Sequence, residues 1–245
     1  MSARPGEPAY DAAMPLTGAG RSPRDVELFV SNDPVRVAAE RLASAVRRGG
    51  HIALSGGSTP RPAYELAAGL EPDWSRVEVW LGDERCVPPE DARANVRLVR
   101  EALASVSRPP RMHPVATNLP PSEAAAAYDE ALAGVSLALA FQGLGPDGHT
   151  ASLFPHAPSL QEESALAVAA TAGLEPWVDR VTMTIPRLSS AREVVFLVLG
   201  DEKADAARRA FVDDPSAATP ASLVRSRSGR TIAILDRPAA RLLDR

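Results

Sequence analysis

Short, uninterrupted apolar runs are the feature of the sequence that most restricts its fold. Runs such as VELFV (26–30), VSLALAF (135–141) and EVVFLVL (193–199) are apolar at most positions and not only at alternate ones. Such runs are typical of strands in a parallel sheet that is covered on both faces. Segments with helical periodicity separate them. This order predicts an α/β fold of three layers, α/β/α, with a mostly parallel, Rossmann-like sheet in a single domain.

The other predicted elements continue this alternation. Further strands are predicted at HIALS (51–55), VEVWL (77–81), ALAVAA (165–170), VTMTI (181–185) and TIAIL (231–235). Helices are predicted from Pro34 to about Gly49 and at 61–70, 95–104, 122–133, 201–212 and 237–245. Asp33 is the expected N-cap of the first helix, and Ser122 is expected to begin the helix at 122–133. Thr59 and Pro60 are expected to start the helix at 61–70.

The first 24 residues differ in composition from the rest of the chain. The segment MSARPGEPAYDAAMPLTGAGRSPR is rich in Pro, Gly and Ala. It contains no apolar core of a signal peptide, and Glu7 and Asp11 argue against a transit peptide. We therefore expect a flexible N-terminal tail at 1–24, followed by one α/β domain at 25–245 that has no internal linker.

Charge and hydropathy argue against several classes of partner. The 245 residues carry a net charge of −4, and no basic run or patch is visible, so neither nucleic acid nor an anionic membrane is an expected partner. No apolar run approaches the ~18 residues that a membrane-spanning helix needs. Cys86 is the only cysteine, so no internal disulfide can form, which fits the reducing cytoplasm. We expect a cytoplasmic protein.

The first loop of interest is SGGSTP (55–60). Ligands of open α/β sheets bind beyond the carboxyl ends of the strands, so loops that follow strands are the places to search. Gly56 and Gly57 let backbone N–H groups approach an anion, Ser58 and Thr59 add hydroxyl donors, and the next helix directs its positive end to the same place. This pattern predicts a phosphate-binding loop. The alternative is a tight turn before a capped helix, and the loop lacks the Gly-Lys-Ser/Thr of a Walker A motif.

A second loop, GDERCVPPEDARAN (82–95), carries a concentration of charge. Asp83, Glu84 and Arg85 stand where the strand at 77–81 passes into a Pro-rich segment. They form either a solvated charge cluster or part of a site. The adjacent Cys86 is better interpreted as a small buried residue than as a nucleophile.

The third loop, GLGPDGHTASLFP (143–155), contains the Gly-x-Gly-x-x-Gly spacing of a dinucleotide-binding turn. A Rossmann turn needs a long helix after it, and Pro155 and Pro158 interrupt the chain too early for that. The loop better suits a reaction centre, because His149 is the usual type of general base and Asp147 can orient it. His51, His113 and His156 lack such a setting in the sequence, so we expect them to be structural or exposed.

Five blocks of the sequence together resemble the 6-phosphogluconolactonase family. They are LSGGSTP, WLGDERCVPPEDARAN, GLGPDGHTASLFP, RVTMTIPRLSSAREVVFLVLGDEKADAAR and AILDRPAARLL. DGHTASLFP is the most specific of them, and the blocks span nearly the whole chain after the first 24 residues. The resemblance implies a carboxylic ester hydrolase without metal or cofactor that converts 6-phospho-D-glucono-1,5-lactone into 6-phospho-D-gluconate in the oxidative pentose phosphate pathway. It also implies the α/β fold of glucosamine-6-phosphate deaminase and ribose-5-phosphate isomerase.

The resemblance assigns roles to residues at matching positions. His149 would activate water, and Asp147 and Asp83 would shape its environment. The implied substrate-binding residues are Gly56, Gly57, Ser58, Thr59, Arg85, Gly145, Arg180 and Lys203. Lys203 is the only lysine among 27 lysine and arginine residues, which suggests a position where a compact ammonium fits and a guanidinium does not. The expected partner is the phosphorylated sugar lactone, bound by a monomer or weak homodimer.

The sequence departs from the family pattern in three places. Ala94 replaces a serine, Gln142 stands where an apolar residue is usual, and Ser189-Ser190 stands where an asparagine is common. We expect these departures to alter loop packing and to leave the reaction unchanged.

Two other functions remain as alternatives. A sugar-phosphate deaminase or isomerase of the same fold would resemble DGHIAFNEP, with a glutamate five residues after the histidine. That position is Phe154 here, and an apolar ring cannot transfer a proton. A sugar-phosphate-binding regulator without catalysis would retain the phosphate loops and lose the reaction centre, yet Asp147 and His149 are both present.

Overall fold

The computed structural model describes residues 26–243, which form ten β-strands and seven α-helices. The strands are β1 (Val26–Val30), β2 (Gly50–Leu54), β3 (Val77–Leu81), β4 (Asp83–Arg85), β5 (Arg111–His113), β6 (Leu137–Gln142), β7 (Ala167–Ala170), β8 (Arg180–Met183), β9 (Glu193–Val198) and β10 (Arg230–Leu235). The helices are α1 (Pro34–Arg48), α2 (Arg61–Leu70), α3 (Asn95–Ala102), α4 (Pro121–Leu132), α5 (Ile185–Ser189), α6 (Ala204–Phe211) and α7 (Arg237–Ala240). The tail predicted at 1–24 lies outside the described residues.

Seven of the strands form one sheet in the order β1-β10-β9-β6-β2-β3-β5. Every neighbouring pair in this sheet is parallel. Parallel neighbours need crossover connections, and the helices between the strands supply them. The carboxyl ends of the strands therefore lie along one edge, which is the edge where the three loops singled out in the sequence emerge.

Both faces of this sheet are buried, which confirms the three-layer prediction. Val194 and Phe196 of β9 pack into one apolar cluster together with α4, α6 and α7. Val195 and Leu197, which alternate with them, pack into a second cluster with α1, α2 and α3. Successive side chains of a strand point to opposite faces, so a strand between two helical layers has to be apolar throughout. Burial of each such side chain contributes roughly 1.5–3 kcal/mol.

A separate three-stranded sheet, in the order β4-β8-β7, stands apart from the parallel one. Its pairs are antiparallel, and Arg85 lies opposite Arg180 in the register. The strand predicted at 165–170 corresponds to β7, and the strand predicted at 181–185 corresponds to β8, which ends at Met183 because Ile185 begins α5. Neither β4, whose three residues are all charged, nor the equally short β5, in which Met112 is the one apolar residue, was predicted from the sequence. Only Gly82 separates β3 from β4, so the chain passes directly from one sheet to the other.

Several predicted helix ends need correction. Asp33 caps α1 as expected, because its Oδ1 accepts a hydrogen bond from the Arg36 N–H at 3.1 Å. Ser122 does not begin α4, since that helix starts at Pro121 and Pro120 occupies the N-cap position. Likewise, α2 starts at Arg61 and has no side-chain cap from Thr59.

Two predicted helices are shorter than their apolar patterns suggest. The segment 201–212 divides into a 3₁₀ turn, Asp201–Lys203, and α6. Of the closing helix predicted at 237–245, the residues described up to 243 are α-helical over Arg237–Ala240. Within residues 26–243, none of the helices has both the length and the apolar character that a membrane crossing requires.

Candidate active site

A cavity of about 240 Å³ opens at the carboxyl edge of β2, β3 and β6. All three loops singled out in the sequence contribute to its walls. Every predicted site residue except Asp147 lines it: Gly56, Gly57, Ser58, Thr59, Asp83, Arg85, Gly145, His149, Arg180 and Lys203. Asp147 contacts the ring of His149 directly. The structure therefore brings the predicted histidine and the predicted anion-binding loop together in one concave site.

His149 and Asp147 form a hydrogen-bonded pair at the end of β6. The Nδ1 atom of His149 lies 2.6 Å from Oδ1 of Asp147, which also accepts the backbone N–H of His149 at 3.1 Å. A carboxylate at Nδ1 favours the tautomer that carries its proton there. The Nε2 atom makes no hydrogen bond with any residue in 26–243, so it retains a lone pair that can accept a proton.

Two opposing effects set the pKa of Asp147. Burial alone would raise the pKa of this carboxyl group, but the hydrogen bond from His149, the charge of that ring and backbone N–H donors act in the opposite direction. The pKa lies below its ordinary value as a result. Asp147 is therefore ionised at neutral pH, when it can orient and stabilise a protonated imidazole.

Glycine is required at position 145 because the pair occupies the space where a side chain would project. A Cβ atom added to Gly145 would lie 2.0 Å from Nδ1 of His149 and 2.5 Å from Oδ1 of Asp147. The Gly145 N–H also donates to the His149 carbonyl at 2.8 Å, which closes the loop. Gly148 adopts φ +95°, a left-handed conformation that disfavours other residues. The glycine spacing thus accommodates the His149–Asp147 pair.

Arg85 and Arg180 form a pair of guanidinium groups on the antiparallel sheet. Arg180 is only 4% exposed, and its pKa is lowered by burial and by the positive charge of Arg85. Its hydrogen bonds go to the carbonyls of Val178 and Pro176. Among residues 26–243, no carboxylate forms an ion pair with either arginine. Two adjacent arginines whose hydrogen-bonding capacity is only partly used can bind an anion.

Lys203 supplies a third cation from the turn that precedes α6. Its ammonium group forms no hydrogen bond or ion pair within the described part of the chain. Burial lowers the pKa of Lys203, and the charges of Glu202 and Asp147 act against that decrease. A half-buried ammonium without a partner is costly, and a bound anion would remove that cost.

The SGGSTP loop presents its backbone to the same cavity. Gly57 adopts φ +102°. A Cβ atom on Gly56 would lie 1.8 Å from Oδ1 of Asn95, so both glycines are required. The N–H groups of Gly56, Gly57 and Ser58 have no acceptor among residues 26–243. The Oγ atom of Ser55 is also buried without a partner in this part of the chain. These unsatisfied donors favour the phosphate-binding interpretation over a simple turn.

Asp83 lines the cavity, but it does not contact His149. Its Oδ2 atom accepts a hydrogen bond from Ser152 Oγ at 2.7 Å, and its Oδ1 atom lies 3.2 Å from Nδ2 of Asn95. Asp83 is 6% exposed and is held rigidly by these contacts. Any influence on the base therefore acts across the cavity and not through a direct hydrogen bond.

Asn95 joins two of the loops and was missed by the sequence analysis. Its Oδ1 atom accepts a hydrogen bond from Nη1 of Arg85 at 2.5 Å, and its Nδ2 group donates to the Asp83 carbonyl at 2.8 Å. The same side chain fills the space beside Gly56. Asn95 thus fixes the orientation of Arg85. Its place within the second motif was the only available signal.

Glu84 explains why the serine-to-alanine departure at Ala94 is tolerated. Ala94 is the N-cap residue of α3 and offers no side-chain acceptor. The Glu84 carboxylate takes over that role, because it accepts the N–H groups of Asn95 and Val96 at 2.7 Å each. Burial raises the pKa of Glu84 despite these donors. Glu84 therefore caps α3. It is neither a solvated charge nor part of the cavity wall.

The other two departures are also satisfied locally. Gln142 is fully buried, and its Oε1 atom accepts a hydrogen bond from Thr150 Oγ1 at 3.0 Å. Ser189 Oγ accepts the Arg225 N–H at 3.2 Å, and Ser190 Oγ donates to the Arg187 carbonyl at 2.6 Å. The side chains of Gln142, Ser189 and Ser190 thus have hydrogen-bond partners nearby, and none of the three lines the cavity.

Cys86 lies outside this cavity. It lines a second cavity of about 450 Å³ together with Trp177, Val178 and Asp179. Burial raises the pKa of its thiol, and the charges of Asp179 and Glu84 act in the same direction. A thiol with a raised pKa is a poor nucleophile at neutral pH, as predicted, but Cys86 is partly and not fully buried.

Phe154 packs beside the candidate base. Its ring centroid lies 4.9 Å from that of His149, and the ring is 6% exposed. A Cβ atom on Gly173 would lie 2.6 Å from the Phe154 ring, so this glycine allows the segment to pack closely against it. Leu174 and Glu175 from the same segment complete the cavity wall, and no motif in the sequence indicated them.

Comparison with known proteins agrees with this geometry. The family described as glucosamine-6-phosphate isomerases/6-phosphogluconolactonase matches residues 30–233. A 6-phosphogluconolactonase from Synechocystis is 38% identical over 210 residues, which cover 80% of this chain and 86% of that protein. The human 6-phosphogluconolactonase is 37% identical over 206 residues, which cover 78% of this chain and 80% of the human one.

A solved structure of a 6-phosphogluconolactonase has a similar fold. The crystal structure of 6-phosphogluconolactonase from Thermotoga maritima superposes with a TM-score of 0.77 at 29% identity. The superposition covers 87% of this chain and all of that one, 100%. The chain belongs to the family of glucosamine-6-phosphate isomerases and 6-phosphogluconolactonases.

Proposed function

We propose that this protein hydrolyses 6-phospho-D-glucono-1,5-lactone to 6-phospho-D-gluconate, a reaction of the oxidative pentose phosphate pathway. One observation carries the proposal: a cavity of about 240 Å³ combines three cations without carboxylate partners in the described chain with a histidine that an aspartate orients. A phosphorylated sugar lactone has an anion at one end and an electrophilic carbonyl at the other. The names of the relatives support the same reaction.

The cationic side of the cavity is the proposed phosphate site. Arg85, Arg180 and Lys203 supply charge, and the SGGSTP loop supplies backbone N–H donors. Arginine forks match phosphate oxygens in pairs, whereas a lysine acts as a point charge, so the combination can surround a dianion. These interactions are the same in the substrate and in the transition state, and they therefore act mainly on binding.

His149 is the proposed general base. Its Nε2 atom removes a proton from a water molecule as the water oxygen forms a bond to C1, and the carbonyl electron pair moves to the carbonyl oxygen. The resulting tetrahedral intermediate collapses, the C1–O5 bond breaks, and the protonated imidazole returns its proton to the departing O5. Asp147 stabilises the imidazolium between these two steps. No covalent enzyme intermediate is needed, because the lactone is already an activated ester.

Backbone donors for the developing oxyanion are restricted to part of the glycine loop. The N–H groups of Gly145 and Gly148 already donate to the carbonyls of His149 and Gly145. Gly143 and Leu144 line the cavity, and their N–H groups have no acceptor within residues 26–243. These two N–H groups are the proposed oxyanion donors from this loop.

The surroundings of His149 argue against the deaminase or isomerase alternative. Ring-opening chemistry requires a second proton-transfer group close to the histidine, and Phe154 occupies that place at 4.9 Å between ring centroids. The intact His149–Asp147 pair argues equally against a regulator that has lost catalysis. We also infer a cytoplasmic location from the single cysteine, and a monomer or weak homodimer, which sedimentation velocity can test.

The test is lactone hydrolysis by the full chain, with the lactone generated by glucose-6-phosphate oxidation and the spontaneous rate subtracted. We expect hydrolysis well above the spontaneous rate. A parallel reaction with glucosamine 6-phosphate, followed by ammonia release, should remain at background. Ammonia release without lactone hydrolysis would establish the deaminase alternative, and binding of 6-phosphogluconate without any turnover would establish the regulator.

A further inference from the structure

Helix α6 lies between the proposed phosphate site and the loop that carries the base. Lys203 stands immediately before the first residue of α6 and lines the cavity. Arg209 lies six positions later, in the last turn of the same helix. Its side chain contacts the loop at 143–155 (the catalytic loop) on the side away from the cavity. One rigid element therefore supports both halves of the site.

Arg209 forms a fork of hydrogen bonds to the loop backbone. Its Nη2 group donates to the Pro146 carbonyl at 3.3 Å, and its Nη1 group donates to the Asp147 carbonyl at 3.4 Å. Nη1 also donates to Oγ1 of Thr219 at 2.6 Å. The Nε atom forms an ion pair with Asp205, one turn earlier in α6, at 2.8 Å. This ion pair holds the guanidinium plane in the orientation that the carbonyls need.

The segment around Thr219 completes the support behind the loop. The Ala221 N–H donates to the Gly148 carbonyl at 3.0 Å. A Cβ atom on Gly148 would lie 2.9 Å from Cγ2 of Thr219, which shows how closely the two segments pack. Thr219 is 2% exposed, so the shortest hydrogen bond of Arg209 is made to a fixed, buried group. The loop is thus held on the side opposite to the cavity.

We propose that Arg209 is a positioning residue, which fixes Asp147, and through it His149, at a set distance from the phosphate site at Lys203. The proposal rests on the proposed function. The catalytic loop has its own hydrogen bonds from Gly145 and Gly148, but these only close the loop on itself. Arg209 links the loop to the helix that begins beside Lys203. A base displaced by about 1 Å can lose about a hundredfold in rate, whereas phosphate binding would be unaffected.

The test compares Arg209→Ala with Arg208→Ala. Arg208 is the neighbouring arginine of α6. It pairs with Asp213 at 2.6 Å and more distantly with Asp205 at 3.7 Å, and it makes no contact with the catalytic loop within the described chain. We expect Arg209→Ala to lower kcat at least about tenfold, with the Kd for 6-phosphogluconate within about twofold of wild type. Arg208→Ala should retain wild-type values of both. Equal effects of the two variants, or parallel changes in kcat and Kd, would overturn the proposal.

Two further variants separate positioning from a loss of folding. Arg209→Lys keeps the charge but not the fork, so we expect kcat between those of wild type and Arg209→Ala. Thr219→Val removes the acceptor at 2.6 Å and should lower kcat in the same direction, with Kd unchanged. Circular dichroism and Tm identify any variant that has not folded, and the comparison then uses the remaining ones. Wild-type kcat in both of these variants would also overturn the proposal.

A spectroscopic measurement makes the result independent of turnover. In wild type, ¹⁵N-edited NMR should show the Nδ1–H signal of a histidine bonded to a carboxylate, assigned to His149 by its loss in His149→Asn. We expect this signal to weaken or shift in Arg209→Ala and to remain in Arg208→Ala. An unchanged signal in Arg209→Ala would overturn the proposal. If wild type hydrolyses no lactone but the signal depends on Arg209, the proposed function fails and the positioning role stands.

Discussion

Two histidine–carboxylate pairs in this protein have the same contact distance and different surroundings. His149 Nδ1 lies 2.6 Å from Asp147 Oδ1, and His113 Nε2 lies 2.6 Å from Glu78 Oε2. The first pair is formed within a single loop, two residues apart. The second joins neighbouring strands, β3 and β5, near the edge of the parallel sheet. Distance alone does not distinguish a base from a structural histidine.

The surroundings of the second pair exclude the role that we propose for the first. The His113 ring stacks on Trp80 with centroids 3.9 Å apart and planes 2° from parallel. Trp80 also donates from Nε1 to His51 Nδ1 at 3.1 Å, so the imidazoles are part of an aromatic cluster. By contrast, His149 lines the cavity that also contains Arg85, Arg180 and Lys203, where we propose that the substrate binds. A general base needs an accessible nitrogen and a bound reactant, in addition to a carboxylate partner.

The largest expected effect separates the two histidines directly. His149→Asn should lower kcat by at least about 10²–10⁴-fold, because general base catalysis typically contributes that much. His113→Asn should leave kcat unchanged, since its ring contacts Trp80 and Glu78 and does not line the cavity. The coupled lactone assay measures both variants. Near-normal turnover by His149→Asn would refute its assignment as the base.

The carboxylates of the two pairs provide the second comparison. Asp147→Asn should lower kcat by about a hundredfold, because an amide cannot hold the Nδ1–H tautomer or stabilise the imidazolium as well as a carboxylate. Glu78→Gln should have no effect on kcat. A kcat for Asp147→Asn that matches that of Glu78→Gln would contradict the orienting role. The Kd for 6-phosphogluconate should stay close to wild type in both variants, which distinguishes a lost orientation from a lost binding site.

Among the described residues, the His113 pair has no cations beside it comparable to Arg85, Arg180 and Lys203. Substitution of Arg85 tests the contribution of these cations. Charge-assisted hydrogen bonds contribute about 1.5–3 kcal/mol, so Arg85→Ala should raise KM roughly 10–100-fold. The matched control is Arg111→Ala, because Arg111 lies beside Glu78 at the other pair and does not line the cavity. Steady-state kinetics over a range of lactone concentrations gives both parameters. An unchanged KM with a strongly reduced kcat would assign Arg85 to the chemical step.

The sequence predicted the His149 pair and missed the other, and the reason is distance along the chain. Asp147 and His149 lie two residues apart in a glycine loop, so a local pattern revealed them. Glu78 and His113 are brought together by the parallel register of β3 and β5, and β5 itself was not predicted. Local motifs and apolar runs therefore sufficed for six of the seven strands of the parallel sheet and for the His149–Asp147 contact. Residue pairs that form only because two strands align in a particular register could not be predicted from the sequence.

The anion site shows the same limit. The glycines and hydroxyl groups at 55–60 predicted a phosphate-binding loop. Arg180 and Lys203 were assigned to the site through the resemblance to a family. The positions of these two residues depend on the antiparallel sheet and on the turn before α6, which no local pattern specified. Asn95 was missed for a related reason: its side chain acts on Arg85 and beside Gly56, ten or more residues away.

The smallest expected effect is on stability and concerns the structural pair. The His113 hydrogen bond is the main cause of the lowered pKa of Glu78, whose ordinary value is 4.5. A carboxylate with a lowered pKa in the folded state stabilises the fold above its ordinary pKa and loses that contribution as the pH falls through the folded-state value. Glu78→Gln should therefore reduce the free energy of unfolding at pH 6 and have a smaller effect at pH 4.

The size of this loss follows from exposure, because the side chain of Glu78 is 36% exposed and solvent screens the pair. We expect a loss of no more than about 1 kcal/mol at pH 6. Urea unfolding of wild type and Glu78→Gln at the two pH values measures the difference. A difference that grows as the pH falls would show that the folded state favours the protonated form of Glu78 over the ionised form. In that case the His113 pair would no longer serve as the structural counterpart of the pair at His149.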